Sequence, residues 1–288
     1  MYGIGEWTHL VRNSLDTQIS LTRLRRRRTL REMADGRRIL ITGASSGIGR
    51  AAALRLAAAG AHVLLGARRE PELREVAKEI EAAGGSAAVH PCDLNDFDQL
   101  DAMAAGVLAE HGGVDILVNN AGRSIRRRLD ESYDRFHDYE RTLRLNYLAP
   151  TRLMLAVLPG MRERREGQIV SVLSVANLFG GPGYGAYVAS KAALDSLTAT
   201  LQIETHTENV RFTSIYMPLV RTPMIAPNPV HRDAPALTAD QGAQVVCDAV
   251  IDRPRRIGPL LGRFAAHLDR TLPDRFDAVR HARFRHGM

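Results

Sequence analysis

Apolar residues along this 288-residue chain follow two patterns that alternate through its central region. Short apolar runs predict buried strands, and the longer stretches between them repeat apolar positions about every 3.6 residues, which predicts amphipathic helices. This alternation across short connections is typical of an α/β fold in which helices flank a parallel sheet. The predicted strands are Ile39–Thr42, His62–Leu65, Ala87–His90, Ile116–Asn119, Gln168–Leu173 and Arg211–Met217. The predicted helices cover about 47–59, 71–83, 96–111, 134–161 and 185–206.

Two stretches interrupt the alternation. Phe179–Gly185 is rich in Gly and Pro and predicts a loop before the last helix. Arg221–Leu237 holds four prolines and cannot form one continuous helix, so we interpret it as a lid on the substrate side. Residues 5–20 repeat apolar side chains near the helical period and predict an N-terminal amphipathic helix. Its apolar positions are Trp7, Leu10, Val11, Leu15 and Ile19.

The composition, 45% apolar and 25% charged, is that of an ordinary globular protein. No apolar run approaches the ~20 residues that span a bilayer, and the N-terminus lacks the apolar segment of a signal peptide. We therefore expect a cytoplasmic protein. Cys92 and Cys247 have neither metal-binding nor redox spacing, which fits a reducing compartment and predicts no metal site.

The net charge of +7 is concentrated at the two ends of the chain. Residues 1–38 and residues 251–288 each carry nine Arg against four Asp and Glu. Each end therefore has a charge of +5, which leaves residues 39–250 at −3. Nucleic-acid binding usually places basic residues on the folded domain itself, so this distribution argues against a nucleic-acid partner.

A glycine-rich run connects the first predicted strand to the first predicted helix. Within Thr42–Gly49, the three glycines Gly43, Gly47 and Gly49 allow a tight turn and a close backbone approach at a helix N-terminus. Backbone N–H groups and the helix dipole at such a terminus favour a pyrophosphate. The strand before this run and the helix after it distinguish it from an ordinary glycine loop, so we predict a dinucleotide cofactor.

The end of the second predicted strand indicates which dinucleotide binds. NAD-specific folds place an acidic residue there to hold the ribose 2′-OH, whereas this chain has Ala67 followed by Arg68. No carboxylate repels a 2′-phosphate, and a guanidinium can bind one, so the sequence favours NADP(H). The alternative is that Arg68 is a solvated loop residue. Ser45 and Arg50 are placed to assist.

Tyr187 and Lys191 lie four residues apart, on one face of a predicted helix. A neighbouring ammonium lowers the pKa of a phenol, which allows proton exchange near neutrality when hydride passes to or from a carbonyl. Taken singly, a helical Tyr or Lys is usually an ordinary surface or core residue. The pair gains significance from the phosphate-binding run upstream.

The run Thr42–Gly49, the segment Asn119–Gly122, and Tyr187 with Lys191 together resemble the short-chain dehydrogenase/reductase family. The resemblance covers about residues 38–260. It implies a single doubly wound Rossmann-type domain that binds a nicotinamide dinucleotide at the carboxyl ends of its strands.

The resemblance implies a catalytic role for four residues. Tyr187 is the proton donor for reduction, and Lys191 supports the phenol and bonds the nicotinamide ribose. Ser174, thirteen residues before Tyr187, bonds the substrate oxygen; Ser171 is a rival, but its mid-strand position predicts a packed side chain. Asn146 anchors a water relay to the lysine.

The resemblance also implies a set of cofactor contacts. Asp93 matches the acid that contacts adenine, Asn120 lies beside the adenosine and steadies the sheet, and Thr222 meets the nicotinamide carboxamide. Leu219 occupies a position where the family usually has Gly, which puts the local backbone in question. The predicted cofactor-binding residues are Gly43, Ser45, Ser46, Gly47, Ile48, Gly49, Arg68, Asp93, Leu94, Asn120, Ala121, Gly122, Tyr187, Lys191, Pro218, Val220 and Thr222.

Less widespread motifs carry information about the substrate. Ala121–Arg127, Ser132–His137 and Met217–Pro227 resemble the reductase module of bacterial fatty acyl-CoA reductases. This resemblance implies reduction of a long acyl or aldehyde substrate with NADPH. The alternatives are an alcohol dehydrogenase or ketoreductase acting on small or cyclic alcohols, and a non-catalytic nucleotide-binding scaffold, against which the intact catalytic residues argue.

We divide the chain into a basic N-terminal extension (1–37), a catalytic domain (38–260) and a basic C-terminal tail (261–288). The extension either contacts an anionic membrane surface or packs against this chain or another subunit. Because the first strand begins near Ile39, deletion of residues 1–36 is expected to leave the fold intact. Arg126–Arg128 either meet an anionic group such as coenzyme A phosphates or remain solvated.

We also predict a homodimer or homotetramer. The helices predicted over 134–161 and 185–206 carry more apolar residues than one buried stripe requires, which indicates a helix–helix interface between subunits. The residues concerned are Leu153, Met154, Val157, Leu158, Leu194, Leu197 and Leu201.

Overall fold

The computed structural model describes residues 28–259, Gly262, Asp269 and residues 271–285. Within these residues seven strands form one parallel sheet, in the order β3-β2-β1-β4-β5-β6-β7. The chain builds β2 and β3 on one side of β1 and then returns to add β4 on the other, which is doubly wound Rossmann topology. The predicted fold class is therefore confirmed. The strands are β1 Arg38–Thr42, β2 His62–Ala67, β3 Ser86–Pro91, β4 Ile116–Asn119, β5 Gly167–Ser174, β6 Val210–Met217 and β7 Arg256–Ile257.

Helices cover both faces of the sheet, and several carry clear start and stop signals. Asp96 accepts hydrogen bonds from the N–H groups of Asp98 and Gln99 at the start of α4, and Gly112 ends that helix with a φ of 68°. Thr238 and Gln241 form a capping box that starts α9. The helices are α1 Leu30–Ala34, α2 Gly47–Ala58, α3 Glu70–Ala82, α4 Phe97–His111, α5 Phe136–Leu143, α6 Ala149–Glu163, α7 Ala176–Phe179, α8 Gly185–Glu204, α9 Ala239–Asp252 and α10 Pro273–Arg285.

The sheet divides the interior into two cores. Ile39 and Ile41 of β1 face a core that includes α2, α3 and α9, whereas Leu40 faces a core that includes α4, α6 and α8. Because helices cover both faces, the strands are near-continuous apolar runs rather than alternating ones. This is why apolar runs in the sequence predict β1 to β6.

The helix predicted over 134–161 is divided by a π turn, Arg144–Leu148, between α5 and α6. In this turn the Ala149 N–H donates to the carbonyl of Arg144, five residues back. Pro150 has no N–H, so the Asn146 carbonyl lacks the usual donor four residues later, and the wider turn accommodates this loss. Asn146 lies in the turn and is fully buried.

Some predicted features of the chain ends differ from the structure or lie beyond it. Leu30 and Met33 of α1 pack against the core and Ala34 is buried, so deletion of residues 1–36 would remove core contacts, contrary to our expectation. The helix predicted over 5–20 lies outside the described residues. The predicted C-terminal tail contains α10, and the domain boundaries remain predictions. Among the helices described, none has the length and apolarity to cross a bilayer.

The apolar residues predicted to form a subunit interface lie in the interior of the chain instead. Leu197 and Leu201 are partly buried and pack against the same core as the other five. The seven residues therefore do not form a subunit interface as predicted, and the homo-oligomer stays a prediction. On α6 and α8, Leu155 and Ile203 are the large apolar side chains that face outward, at 61% and 67% exposure. The five buried residues are Leu153, Met154, Val157, Leu158 and Leu194.

Candidate active site

A cavity of about 770 Å³ opens at the carboxyl ends of β1, β4, β5 and β6, where the strand order reverses. Its size lies within the usual range of about 300–1,000 Å³ for ligand sites. The predicted catalytic and cofactor-binding residues line this cavity, with two exceptions. Gly49 and Asn146 are buried behind its wall. Residues from Gly43 to His231 thus surround one space.

The glycine run forms a turn that requires glycine at three positions. Gly43 and Gly47 have φ values of 68° and 56°, in the left-handed region. A Cβ on Gly49 would lie 2.3 Å from the Gly43 carbonyl oxygen. At the start of α2 the Ser46 side chain makes no capping hydrogen bond, so the first N–H groups of the helix are not satisfied by the cap. This arrangement fits the phosphates of a dinucleotide.

Thr42 and Asn120 join the ends of β1 and β4 beneath the cavity. The Asn120 Nδ2 donates to the Thr42 carbonyl at 2.9 Å, and the Thr42 hydroxyl accepts from the N–H groups of Asn120 and Ala121, each at 3.1 Å. A Cβ on Gly43 would meet the Ala121 Cα at 3.0 Å. The two loops are therefore packed closely at the edge of the cavity.

Basic residues follow β2 at one end of the cavity. Arg68 and Arg69 both line it, and the Arg69 Nη2 donates to the Ser45 hydroxyl at 3.3 Å. Arg69 also pairs with Glu72 at 2.9 Å, and both arginines are exposed. Arg50, which we expected to assist, instead pairs with Glu79 and does not line the cavity. Arg69, adjacent to Arg68, was not predicted as a cofactor-binding residue.

At the same end, Asp93 and Leu94 lie just after β3. Asp93 Oδ1 accepts hydrogen bonds from the backbone N–H and the side-chain amide of Asn95, at 3.0 and 2.9 Å. These bonds hold the carboxylate at the cavity wall. The chemistry of this end, a carboxylate beside guanidinium groups, fits an adenosine that carries a phosphate.

Ser174, Tyr187 and Lys191 meet in the wall formed by β5 and α8. Ser174 is the last residue of β5, and its hydroxyl is hydrogen-bonded to the Tyr187 phenol. Lys191, one turn after Tyr187 on α8, donates from Nζ to the Val172 carbonyl at 2.7 Å. Ser171 is fully buried within β5 and does not line the cavity. Ser174 is therefore the serine that can contact a substrate.

Asn146 supports this site through backbone contacts from the π turn. Its Oδ1 accepts from the Arg123 N–H at 2.8 Å, and its Nδ2 donates to the Arg123 carbonyl at 2.9 Å and to the Ser190 hydroxyl at 3.0 Å. A Cβ on Gly122 would lie 3.3 Å from Asn146 Oδ1 and 3.4 Å from Lys191 Nζ. Asn146 therefore ties the loop after β4 to the helix that carries Tyr187.

The structure gives Tyr187 a pKa shift opposite in direction to our expectation. Burial raises the pKa of the phenol, and the hydrogen bond with Ser174 opposes this effect without outweighing it. Burial also lowers the pKa of Lys191 to about 8, because the ammonium form loses solvation. The expected lowering of the phenol pKa by Lys191 is therefore wrong for the protein alone. The amine and the phenol are both held toward their neutral forms.

The lid contains a hydrogen-bonded cluster that we did not predict. Tyr184 is the residue just before α8, and its Oη shares a hydrogen bond of 2.7 Å with His231 Nε2 and accepts one of 2.6 Å from Asn228 Nδ2. The rings of Tyr184 and His231 stack with centroids 5.9 Å apart. Both residues line the cavity. No sequence spacing relates residues 184, 228 and 231, so pattern alone gave no signal.

The segment after β6 approaches the glycine run. Leu237 N–H donates to the Leu219 carbonyl at 2.8 Å, and Leu219 has an ordinary negative φ, so the missing glycine causes no strain. Thr222 lies against α2, because a Cβ on Gly47 would be 3.0 Å from its side-chain methyl group. Pro218 and Val220 also line the cavity. The rest of Arg221–Leu237 is irregular apart from a short 3₁₀ turn, as its prolines predict.

The arginines after β4 differ in their partners. Arg127 pairs with Asp138 at 3.0 Å, and Arg128 pairs with Asp130 at 3.4 Å. Arg123 lines the cavity; burial lowers the pKa of its guanidinium, and the positive charges of Arg141 and Arg68 lower it further. These intramolecular ion pairs occupy two of the three residues in the run Arg126–Arg128. Arg123, which was not predicted, adds positive charge inside the site.

The two cysteines have no reactive character. Cys92 and Cys247 are buried and unpaired, and burial raises the pKa of the first thiol to about 11 and of the second to about 12. Both therefore remain neutral thiols at physiological pH.

Known proteins match this chain in sequence and in structure. A family model described as short chain dehydrogenase matches residues 37–232. An uncharacterised oxidoreductase of Mycobacterium bovis is 53% identical over 260 residues, covering 89% of this chain and 76% of the relative. A fatty acyl-CoA reductase of Acinetobacter baylyi is 49% identical over 244 residues, covering 85% and 83% of the two chains. The expected resemblance to fatty acyl-CoA reductases is thus confirmed.

A solved structure shares the fold. The crystal structure of a metagenomic short-chain oxidoreductase in complex with NADP superimposes with a TM-score of 0.66 and 33% identity. The match covers 76% of this chain and 92% of that one.

Proposed function

Because the chain belongs to the short-chain dehydrogenase family, we propose that it is an NADP(H)-dependent oxidoreductase that reduces the carbonyl of a fatty-acyl or other lipid-like substrate. One observation carries this proposal. The glycine run and the residues Ser174, Tyr187 and Lys191 line the same cavity. A carbonyl held beside the phenol is then within reach of a cofactor held by the run.

The chain's own residues would act on the substrate oxygen. A bound nicotinamide cofactor would supply the hydride. The hydroxyls of Ser174 and Tyr187, hydrogen-bonded to each other, would hold the carbonyl oxygen and polarise it. Tyr187 would then donate its proton to the developing alkoxide, and Lys191 would stabilise the phenolate that remains. The raised pKa of Tyr187 keeps the phenol protonated before transfer, which suits a proton donor in the reductive direction.

NADP(H) is supported as the cofactor by the residues after β2. Arg68 and Arg69 line the cavity where the adenosine ribose is expected, and β2 ends without a carboxylate. The position of Arg69 near Ser45 adds a hydroxyl and a second guanidinium to this end. Two fork-shaped donors and a hydroxyl suit a 2′-phosphate better than a 2′-hydroxyl group. The metagenomic relative was crystallised with NADP, which is consistent with NADP(H) as the cofactor of this chain.

A lipid-like substrate is supported by the lid. Leu219, Met224 and Ile225 line the cavity on the side of Arg221–Leu237 and give that side an apolar surface. Alkyl chains bind to such surfaces by burial of apolar area. Arg123 and Arg126, which are placed near the same cavity, supply positive charge for an anionic carrier such as coenzyme A.

The proposal is tested by following NADPH oxidation with acyl-CoAs, fatty aldehydes, β-ketoacyl thioesters, sterols and small cyclic ketones. We expect turnover with the long acyl or aldehyde substrates. Tyr187→Phe keeps the ring but removes the transferable proton, so turnover should fall ~10²- to 10⁴-fold while NADPH still binds. Preferred turnover of small cyclic ketones would replace the lipid proposal by the small-alcohol alternative. Unchanged turnover of Tyr187→Phe would contradict the mechanism.

A further inference from the structure

Three side chains that can bind a metal ion meet at the outer edge of the sheet, away from the cavity. His90 lies in β3, the edge strand, and Glu110 and His111 are the last two residues of α4. One ligand atom from each lies within 4.8 Å of the others. None of the three lines the active-site cavity.

The spacing of these atoms matches tetrahedral metal coordination. Ligand atoms about 2.0–2.2 Å from a tetrahedral zinc ion lie about 3.3–3.6 Å from one another. The Nε2 atoms of His90 and His111 are 3.2 Å apart, and Glu110 Oε2 is 3.7 Å from His111 Nε2. Two imidazole nitrogens and one carboxylate oxygen are therefore already close to the positions that such an ion requires. Two imidazoles with one carboxylate are also a common ligand set for zinc.

Neighbouring groups hold His111 in place. Its carbonyl accepts a hydrogen bond of 2.9 Å from Arg38 Nη1, which fixes the end of α4 against the start of β1. The His62 ring packs against the His111 ring with centroids 5.0 Å apart, and His62 Nδ1 is 2.6 Å from the Ser86 hydroxyl. A site held by its surroundings loses less conformational entropy when it binds an ion.

We propose that His90, Glu110 and His111 bind a divalent transition-metal ion of the zinc class, which joins β3 to α4. His111 is 16% exposed and Glu110 is 65% exposed, so solvent reaches the site and water can complete the coordination. The site departs from the sequence-based prediction of no metal, because residues 90 and 110 have no recognisable ligand spacing. Strand and helix packing brings them together. The role is structural and is independent of the proposed reductase activity.

The test is a Zn²⁺ titration of the full-length, tag-free protein by calorimetry, with His90→Gln, Glu110→Gln and His206→Gln as variants. His206 is an exposed histidine after α8 and serves as the matched control. We expect the unmodified protein and His206→Gln to bind one equivalent of Zn²⁺ with the same affinity. The affinity of His90→Gln for this equivalent should be lower by ~10-fold or more. Zn²⁺ should raise the melting temperature of the unmodified protein but not of His90→Gln. Binding of Co²⁺ should give the visible absorption of a tetrahedral site.

Equal stoichiometry and affinity in the unmodified protein and His90→Gln would overturn the proposal, as would no zinc binding at all. Absence of zinc binding would show that His90 and His111 are joined only by a hydrogen bond between their imidazoles. If His90→Gln fails to fold, Glu110→Gln decides the question, because its side chain is exposed and its loss should not disturb packing. That variant should also bind Zn²⁺ more weakly than the unmodified protein.

Discussion

Arg68 lies at the rim of the cavity just after β2, where a 2′-phosphate on the adenosine ribose would be bound. A charge-assisted hydrogen bond to that phosphate contributes about 1.5–3 kcal/mol. We therefore expect NADPH to bind about 10- to 150-fold more tightly than NADH, at about 1.4 kcal/mol per decade. Arg68→Ala should remove most of this difference, as measured by fluorescence titration with both cofactors.

The matched control for Arg68→Ala is Arg74→Ala. Arg74 is an exposed arginine on α3 that pairs with Glu70 and does not line the cavity. Its removal changes the net charge by the same amount, so it should leave the NADPH-to-NADH ratio unchanged. Equal affinity of the unmodified protein for the two cofactors would contradict the assignment of Arg68.

Lys191 should make NADPH binding depend on pH. Burial lowers its pKa to about 8 in the protein, and we expect the bound ribose and phosphates to favour the ammonium form. Binding then takes up a proton, so affinity should be constant below about pH 8 and fall as the pH rises, approaching tenfold per unit. Lys191→Met should bind NADPH weakly, with little change across this range. Affinity that rises with pH would contradict the assignment.

Single residues show what sequence can and cannot predict about the site. The order of Ser174, Tyr187 and Lys191 follows from a motif, because strand end and helix face fix their positions. The direction of the Tyr187 pKa shift could not be predicted from the motif, because it depends on the burial of the phenol, which only the packed structure determines. Arg123 was missed for the same reason. Its side chain is half-buried within the site, and nothing in the sequence distinguishes it from other arginines.

At the scale of elements, the lid and α8 are joined by the hydroxyl of Tyr184. Its bonds to Asn228 and His231 connect Arg221–Leu237 to the start of the helix that carries Tyr187. Tyr184→Phe keeps the ring stacking and removes both bonds, a loss of about 1–2 kcal/mol. The KM for the acyl substrate should rise about 5- to 30-fold, while the affinity for NADPH stays the same.

Steady-state kinetics and a parallel NADPH titration would separate these effects. Tyr133→Phe is the control, because Tyr133 is 80% exposed and its hydroxyl lies outside the cavity. A loss of NADPH affinity equal to the change in KM would show that Tyr184 supports the whole site and not the lid.

Elements differ in how far the sequence predicts them. The apolar runs of β1 to β6 were recognisable because helices cover both faces of the sheet. The π turn Arg144–Leu148 was not, since helical periodicity continues through it and only the missing N–H of Pro150 marks it. β7 has two residues, which is too short for a pattern. α10 is largely polar, so no apolar stripe identifies it.

At the scale of the whole molecule, the basic N-terminal segment is proposed to bring the enzyme to its substrate. Lipid-like substrates partition into membranes, and each basic residue near an anionic surface contributes about 1 kcal/mol. Deletion of residues 1–27 retains α1 and its core contacts, so the truncated protein should fold and bind NADPH normally. It should lose activity on vesicle-borne substrate but not on a soluble short-chain analogue.

Sedimentation with anionic vesicles at low and high salt is the direct measurement. Binding of the full chain should weaken with salt, because surface charges are screened over about 8–10 Å at physiological ionic strength. Failure of the full chain to sediment at low salt would end the membrane proposal and favour packing within the chain or against a second subunit. Light scattering of the same samples would test the predicted homo-oligomer.

The contacts of α10 with the end of α7 and with Arg128 have a consequence for how the protein is made. Arg280 donates to the Phe179 carbonyl, and the Phe284 ring lies under the Arg128 guanidinium at 5.1 Å. Phe179 and Arg280 are 101 positions apart, and a ribosome adds about 5–20 residues per second. The growing chain therefore passes roughly 5–20 seconds between the synthesis of Phe179 and that of its partner Arg280. At the start of that interval the cavity-lining residues Pro218, Val220 and Thr222 have not yet been made, so the cavity is completed only late in synthesis.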